Sequence, residues 1–221
     1  MSKTIDQIKD VEHALPKWRR RPKCRPDDIL DGALKEFCLC GYARARIEDI
    51  ANHAGLSKGS VYLYFDSKEE MLKALIRRSV TPIALSLTEV AGHMGEDKEQ
   101  TCAEILRKML KLTATRFLDQ KTGSIPLLII GEAGNFPELP EFYRDEVIEV
   151  SMKAIETVIA SGVKNGEFRP INIKLAIRSL MSIVIMQVIW NGVFKRKGEA
   201  TITTDELINS HLDLFLNGAL A

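Results

Sequence analysis

The chain has 221 residues, 45% of them hydrophobic and 28% charged, a balance typical of a globular protein of one or two domains. The net charge of +1 is unevenly distributed. Residues 1–80 carry 16 Lys and Arg against 12 Asp and Glu, whereas residues 81–221 carry 15 against 18. A basic amino-terminal part on a slightly acidic body indicates that the first part alone binds a polyanion.

The cysteines indicate a reducing compartment. The amino-terminal residues lack the apolar core of a secretory signal, so we expect a cytoplasmic protein with reduced thiols. Cys38 and Cys40 have the wrong spacing for a zinc knuckle, and no His stands at ligand spacing nearby. Metal or redox sensing is the alternative to small buried thiols, and we expect the latter, with no metal and no cofactor.

A basic segment precedes the first predicted helix. Residues 17–25 hold six positive charges in nine positions, and Pro22 and Pro26 disfavour a helix there. We therefore interpret residues 1–25 as a flexible arm. It is either a solvated tail or a DNA contact that lies along phosphate or enters a narrow minor groove, and we expect the second. The contacting residues would be Arg19, Arg20 and Arg21.

Two short helices joined by a tight turn are predicted next. The first has apolar residues at i, i+3, i+4 and i+7, namely Ile47, Ile50, Ala51 and Ala54. Gly55 can end it in the left-handed conformation, and Ser57 can cap a following helix that runs to Phe65. Two helices joined by about three residues that include Gly are typical of a helix-turn-helix.

Helices are also predicted on either side of this pair. One begins near Pro26 and ends at Gly41, with a buried stripe formed by Leu30, Ala33, Leu34, Phe37 and Cys38. The other begins at Ser67, where Ser67 and Glu70 have the spacing of a capping box. We expect Pro82 to kink this last helix, which links the small amino-terminal core to the rest of the chain.

The second helix of the pair is predicted to face DNA. With Val61 and Phe65 inward, Gly59 and Leu63 point away from the core, and no carboxylate lies on that face. Such a face suits the major groove, because phosphate contacts fix register and base edges specify sequence. The candidate contacts beyond the arm are Arg46, Ser57, Lys58, Gly59, Ser60, Tyr62, Leu63, Tyr64 and Lys68. For Tyr64, packing into the core is an equal alternative.

These motifs at fixed spacing resemble the DNA-binding domain of the TetR/AcrR family of bacterial transcription regulators. The resemblance is carried by Gly41-Tyr42, Ile47–Ala51, Ala54–Tyr62 and the run from Tyr64-Phe65 to Leu72. It implies a helix-turn-helix domain over residues 26–70 and a helical regulatory and dimerisation domain over residues 71–221. It also implies a bacterial protein of the cytoplasm that is nucleoid-associated when bound to DNA. Ala45-Arg46 departs from the family's usual hydroxyl cap, and Tyr64 stands where His is common.

Beyond residue 83 the pattern is all-α. Apolar-periodic segments over residues 101–119, 125–133, 141–162, 173–195 and 204–217 are separated by short breakers, with no persistent strand alternation. The resemblance extends weakly over this part and implies a TetR-like fold of about nine helices. We find no nucleophile and base, phosphate loop or paired carboxylates, so we do not expect an enzyme.

A ligand pocket is expected where the apolar segments converge in the family fold. The candidate lining residues are Met109, Phe117, Leu128, Glu132, Phe136, Met152, Met181, Ile185, Met186 and Trp190. Each apolar one has ordinary core packing as its alternative. Glu132, isolated among apolar residues, either orients a ligand or has a capping or surface role. A lining of this kind favours a hydrophobic or aromatic small molecule as the unidentified effector.

The segment 175–194 is apolar almost all round. Its length is compatible with a membrane span, but Arg178, Gln187 and Asn191 argue against lipid exposure, so burial against a partner is the better interpretation. The resemblance places a homodimer interface on the last two helices, about 173–195 and 204–217. It implies a repressor that binds palindromic double-stranded DNA and is released by its effector, and a ligand-independent architectural DNA-binding protein is the alternative.

Overall fold

The computed structural model describes residues 25–97 and 99–219. The described residues form helices, turns and loops, with an isolated bridge residue at Phe168 and no β-strand among them. The arm with Arg19, Arg20 and Arg21 lies outside the described residues. The predicted all-α class is confirmed.

The amino-terminal unit consists of three helices. They are α1 (Arg25–Cys40), α2 (Ile47–Ala54) and α3 (Lys58–Val61). Gly41 and Gly55 follow α1 and α2 with φ of 82° and 67°, the left-handed conformation that glycine adopts at a helix end without steric cost. The stripe predicted for α1 is buried apart from Cys38, which is exposed. That thiol is therefore not a core side chain, whereas Cys102 is buried as expected.

The rest of the chain is a helical bundle. Its elements are α4 (Lys68–Ser79), α5 (Thr81–Gly92), α6 (Cys102–Phe117), α7 (Gln120–Glu132), α8 (Glu138–Tyr143), α9 (Glu149–Lys164), α10 (Ile173–Ile189) and α11 (Thr204–Ala219). Two π-helical turns, Arg144–Ile148 and Trp190–Phe194, join α8 to α9 and extend α10. Val80 alone separates α4 from α5, with Pro82 in the first turn of α5, so the predicted kink is a break of one residue.

One core crosses from the amino-terminal unit into the bundle. Phe37 and Ile50 belong to the same buried cluster as Ile129, Leu139 and Val147. A separate cluster fills the space between α6, α9, α10 and α11. Because the first cluster is shared, the position of the amino-terminal helices depends on α7 and on the segment that follows it.

Candidate nucleic-acid interface and ligand cavity

The helix-turn-helix forms with a shorter second helix than the sequence predicts. The Ser57 hydroxyl caps α3 by accepting from the Ser60 N–H at 3.2 Å, as expected. The α-helix ends at Val61 rather than at Phe65. The N–H groups of Tyr64 and Phe65 both donate to the Val61 carbonyl, at 3.0 and 3.1 Å, so the last residues form a turn. This turn lets Phe65 enter the core.

The predicted outward residues lie on the surface. Leu63 is 77% exposed, and Gly59 has no neighbour within 4 Å of an added Cβ. Tyr62 and Tyr64 are also exposed, so core packing of Tyr64 is not seen. The hydroxyls of Ser57 and Ser60 bond to each other at 2.9 Å, which engages both before any DNA contact. Arg46 is exposed at the start of α2, where its side chain makes no cap.

A carboxylate from α2 reaches this face. The Lys58 ammonium pairs with Glu48, and both side chains are about half exposed. The hydrogen bond to Glu48 raises the pKa of Lys58, and the same bond lowers the pKa of Glu48. The expectation that the face is free of carboxylate therefore holds for α3 itself but not for the surface as assembled. The spacing of residues within α3 could not predict that a side chain of α2 would lie beside it.

Lys68 occupies a different place from the one predicted. Its ammonium donates to the carbonyls of Tyr42 and Ala43, at 2.8 and 3.0 Å, and lies 5.0 Å from the centre of the Tyr42 ring. Burial lowers the pKa of Lys68. Two of its three donors hold the segment between α1 and α2, so its first role is structural rather than that of a free phosphate donor.

An apolar cavity of about 600 Å³ opens at the surface of the bundle, where its lining residues Ile130, Arg178 and Ser182 are exposed. Residues from α5, α6, α7, α8, α9, α10 and the π-helical turn Arg144–Ile148 line it. Four of the ten predicted pocket residues are among them, namely Phe117, Met152, Met181 and Ile185. A π-helical turn at a cavity wall is a feature often associated with functional sites.

The other six predicted residues lie elsewhere. Met109 is fully buried in the core of the bundle. Leu128 and Phe136 pack against the core shared with the amino-terminal helices, and the Phe136 ring stacks edge-on against Tyr42 at 4.8 Å. Met186 of α10 and Trp190 of the π-helical turn that follows it are exposed. Helical periodicity identifies a buried stripe but not the positions where the packing leaves a void.

Glu132 is the sixth, and its partner is a backbone group of the other domain. Its Oε1 accepts from the Ala43 N–H at 3.2 Å, and Asn135 donates to its Oε2 at 3.4 Å. The residue is half-buried and is absent from the cavity lining. The proposed ligand role is therefore not supported by its position, because its carboxylate points to the segment between α1 and α2.

The cavity has few polar groups. Arg178 is the one charged side chain among its described lining residues, and Ser151 and Ser182 add hydroxyls. Within the described part of the chain, Arg178 has no carboxylate within 4.0 Å. Burial raises the pKa of Tyr143, so this wall residue stays a neutral phenol. Arg178 was not predicted as a pocket residue, although an isolated charge in an apolar helix was a signal for one.

A second, wider cleft of about 1090 Å³ lies along one side of the junction between the two domains. Its walls come from α1 and α2 on one side and from α6, α7 and the end of α10 on the other. Phe117 and Val188 line both the cleft and the apolar cavity. The cavity and the junction between the domains are thus neighbouring spaces that share walls.

The helix Ile173–Phe194 is long and apolar enough to cross a membrane, but it packs on α6, α7, α9 and α11. Only 28% of the residues in its most apolar 18-residue stretch are buried. Gln187 is buried and donates to Asn191 at 3.0 Å. The exposed large apolar side chains of this helix and of α11 are Leu175, Met186, Trp190, Val193, Phe194 and Leu214.

Comparisons with known proteins agree on the family. Residues 29–75 match the model of bacterial regulatory proteins of the tetR family, and residues 99–199 match a tetracyclin repressor-like C-terminal domain. The chain is 28% identical over 202 residues to the transcriptional repressor KstR2 of Rhodococcus jostii, covering 88% of this chain and 90% of that one.

Two further comparisons involve regulators from Bacillus subtilis. A fatty acid metabolism regulator protein is 24% identical over 204 residues, covering 90% of this chain and 97% of that one. The structure of the transcriptional regulator FadR in complex with stearoyl-CoA is similar in fold, with a TM-score of 0.61 at 23% identity. That match covers 87% of this chain and 98% of the other. These relatives are transcriptional regulators and not enzymes.

Proposed function

Because this chain belongs to the TetR family of bacterial transcription regulators, we propose that it is a repressor that binds a palindromic operator as a homodimer. A small hydrophobic effector that enters the cavity releases it. The observation that carries the proposal is the presence in one chain of an exposed helix-turn-helix and an apolar cavity whose walls adjoin the domain junction.

The DNA-binding part of the proposal rests on the α3 surface. Leu63 can meet a thymine methyl, while the exposed side chains of Tyr62, Tyr64 and Arg46 offer hydrogen-bond donors for phosphate. Lys58 contributes once it exchanges Glu48 for a phosphate. The arm residues Arg19, Arg20 and Arg21, which precede α1 in the chain, add positive charge.

The dimer part rests on the exposed apolar side of the last two helices. A helix end that carries Trp190, Val193 and Phe194 at the surface needs a covering partner. A second copy meets that need with two-fold symmetry, and a two-fold dimer presents two α3 surfaces about 34–36 Å apart to successive major grooves. We place the protein in the cytoplasm, where the DNA is.

The effector part rests on the cavity. Its lining suits an alkyl chain or ring system, and the Arg178 guanidinium beside Ser182 suits an anionic end group. A long apolar chain with an anionic end is the class to which stearoyl-CoA belongs, the molecule bound to the related Bacillus subtilis regulator. We infer that the effector of this chain is an apolar molecule of similar length with a negative charge near Arg178.

Selection of bound sequences from a random DNA pool, at one fixed salt concentration, tests the DNA-binding part. We expect a palindromic consensus and a preference of at least about 10³-fold over a scrambled duplex. An architectural DNA-binding protein would bind all duplexes with similar affinity through salt-dependent phosphate contacts, and it would select no consensus.

A fluorescent fatty acid tests the effector part. Dansylaminoundecanoic acid and its methyl ester share the same chain and differ at the end group, which is an anionic carboxylate in the acid and a neutral, one-methyl-larger group in the ester. We expect the acid to bind about tenfold more tightly than the ester, and Arg178→Gln to abolish that difference, because a hydrogen bond to a charged group contributes about 1.5–3 kcal/mol. Equal binding of acid and ester to the unmodified protein would contradict the role of Arg178, and absence of binding would contradict the effector class.

A further inference from the structure

The last turns of α7 face the cavity on one side and the DNA-binding domain on another. Pro126, Ile129, Ile130 and Ala133 recur at i, i+3, i+4 and i+7 and line the cavity as one stripe. Glu132 lies off that stripe, and its carboxylate reaches the Ala43 N–H, 89 positions away in the chain. A shift of this helix end, produced by a ligand against the stripe, displaces the carboxylate as well.

The segment that receives this carboxylate is held from several directions. Lys68 at the start of α4 binds the carbonyls of Tyr42 and Ala43. The Tyr42 ring is 5% exposed, and its centre lies 5.4 Å from the Phe37 ring and 4.8 Å from the Phe136 ring. This cluster joins α1, α4 and the residues after α7 at one point.

The approach of Glu132 to the segment is close. Gly41 has a φ of 82°, and a Cβ at that position would stand 3.1 Å from the Glu132 Oε1. A side chain there would press on the carboxylate as well as strain the backbone. The carboxylate of the regulatory domain thus sits directly against the turn that ends α1.

The same segment sets the entry into the helix-turn-helix. Residues 41–46 lead directly into α2, whose first turn has no side-chain cap from Arg46. Without that local anchor, the position of α2 depends on its packing and on the segment before it. Gly55 and Ser57 then connect α2 to α3, so displacement of the segment moves the DNA-facing surface.

We propose that Glu132 is the positioning residue through which the state of the cavity reaches the DNA-binding surface. The proposal rests on the function proposed above and adds the route by which it is regulated. With the cavity empty, the Glu132 carboxylate holds the Ala43 N–H and the helix-turn-helix stays in its DNA-binding position. When the cavity fills, α7 shifts, the contact lengthens and operator affinity falls.

A double-mutant cycle tests this route without an identified effector. Ser151→Trp fills the cavity from α9, and Ser151→Leu is a smaller filling variant for use if the Trp protein does not fold. Operator affinity is measured by fluorescence anisotropy on the selected palindrome for each filling variant, alone and combined with Glu132→Ala. Circular dichroism melting checks that every variant is folded.

We expect Ser151→Trp to weaken operator binding about tenfold when Glu132 is present. In the protein that also carries Glu132→Ala, we expect Ser151→Trp to weaken it less than about threefold. The difference lies within the usual range of coupling between two sites. Glu132→Gln keeps an oxygen that accepts from Ala43, so it should restore most of the coupling. Glu141→Ala replaces Glu132→Ala as the control. The Glu141 carboxylate is exposed and accepts no hydrogen bond among the described contacts, whereas the Glu132 carboxylate accepts two.

Two results would overturn the proposal. Equal weakening by Ser151→Trp in both backgrounds would mean that the signal reaches α2 by another route, such as α4. No weakening in either background would mean that the cavity does not control the helix-turn-helix. Failure of the proposed function is distinguishable, since the unmodified protein would then select no palindrome before any variant is made.

Discussion

At the scale of single residues, the contacts of the charged side chains decide which ones are available to a ligand. Lys58 and Lys68 look equivalent in the sequence, yet one pairs with Glu48 at the surface and the other holds two carbonyls. A salt bridge between exposed side chains is weak and screened, whereas a half-buried ammonium on two carbonyls is a fixed structural link. Only the first can be exchanged for a DNA phosphate.

Substitution of Glu48 and Lys58 by Gln tests this difference. Glu48→Gln should free Lys58 and strengthen binding to any duplex a fewfold. Lys58→Gln should weaken binding to all sequences and reduce the slope of log affinity against log salt by about 0.9, the value for one phosphate contact. Anisotropy titrations over a series of salt concentrations give both numbers. An unchanged slope for Lys58→Gln would show that this lysine does not reach phosphate.

The sequence could predict residues whose partners are near in the chain. Ser57 caps α3 and Ser67 accepts from the Glu70 N–H because those groups lie three positions apart. The Glu70 carboxylate, however, returns to the Asp66 N–H rather than completing the box at Ser67. Glu132 and Ala43 are 89 positions apart, so only the folded chain reveals their contact.

At the scale of elements, local periodicity predicted most helices but not how each one ends or bends. The predicted helix 141–162 begins earlier, at α8, and passes through a π-helical turn into α9. The helix from α10 likewise continues through Trp190–Phe194. A π-helical turn shifts the apolar pattern by one residue, and in helices this short such a shift cannot be told from ordinary irregularity in the pattern.

Two glycines within helices test the packing of these elements. A Cβ on Gly162 of α9 would lie 2.3 Å from the buried ring of Phe168, whereas a Cβ on Gly131 of α7 would meet nothing within 4 Å. Gly162→Ala should lower the free energy of unfolding by about 1–3 kcal/mol through overpacking. Gly131→Ala should raise it by about 0.5–1 kcal/mol through helix propensity.

Urea denaturation followed by circular dichroism measures both variants. If Gly162→Ala were as stable as Gly131→Ala, the close approach of α9 to Phe168 would be wrong. That result would also weaken the placement of the cavity wall, since α9 supplies Ser151 and Met152 to it.

At the scale of the whole molecule, a shared core and an uncovered apolar side explain how one chain can link a small ligand to DNA. The first buried cluster joins α1 and α2 to α7. A displacement of α7 would therefore change the packing of the DNA-binding helices. The fold class and the domain order were predictable from motifs and periodicity. The cavity was not, because a void depends on how several helices pack together.

The exposed end of the α10 helix tests the proposed dimer. Val193→Asp places a charge on a side chain that is 62% exposed, so the single chain should fold normally while the dimer dissociates. Leu85→Asp is the matched control, because Leu85 is equally open but lies on α5, which packs on α4, α6 and α9. Sedimentation equilibrium should give the mass of one chain for Val193→Asp and of two for the control. Two chains for both would place the interface elsewhere.

The central claim is that one cavity controls sequence-specific DNA binding, and anisotropy of the selected palindrome with and without saturating dansylaminoundecanoic acid measures it most directly. The account predicts tight binding of the palindrome over a scrambled duplex at the same salt, and about a hundredfold loss of affinity on addition of the acid, which needs about 2.7 kcal/mol of coupling. Equal affinity for the two duplexes, or binding of the acid that leaves the operator affinity unchanged, would contradict it.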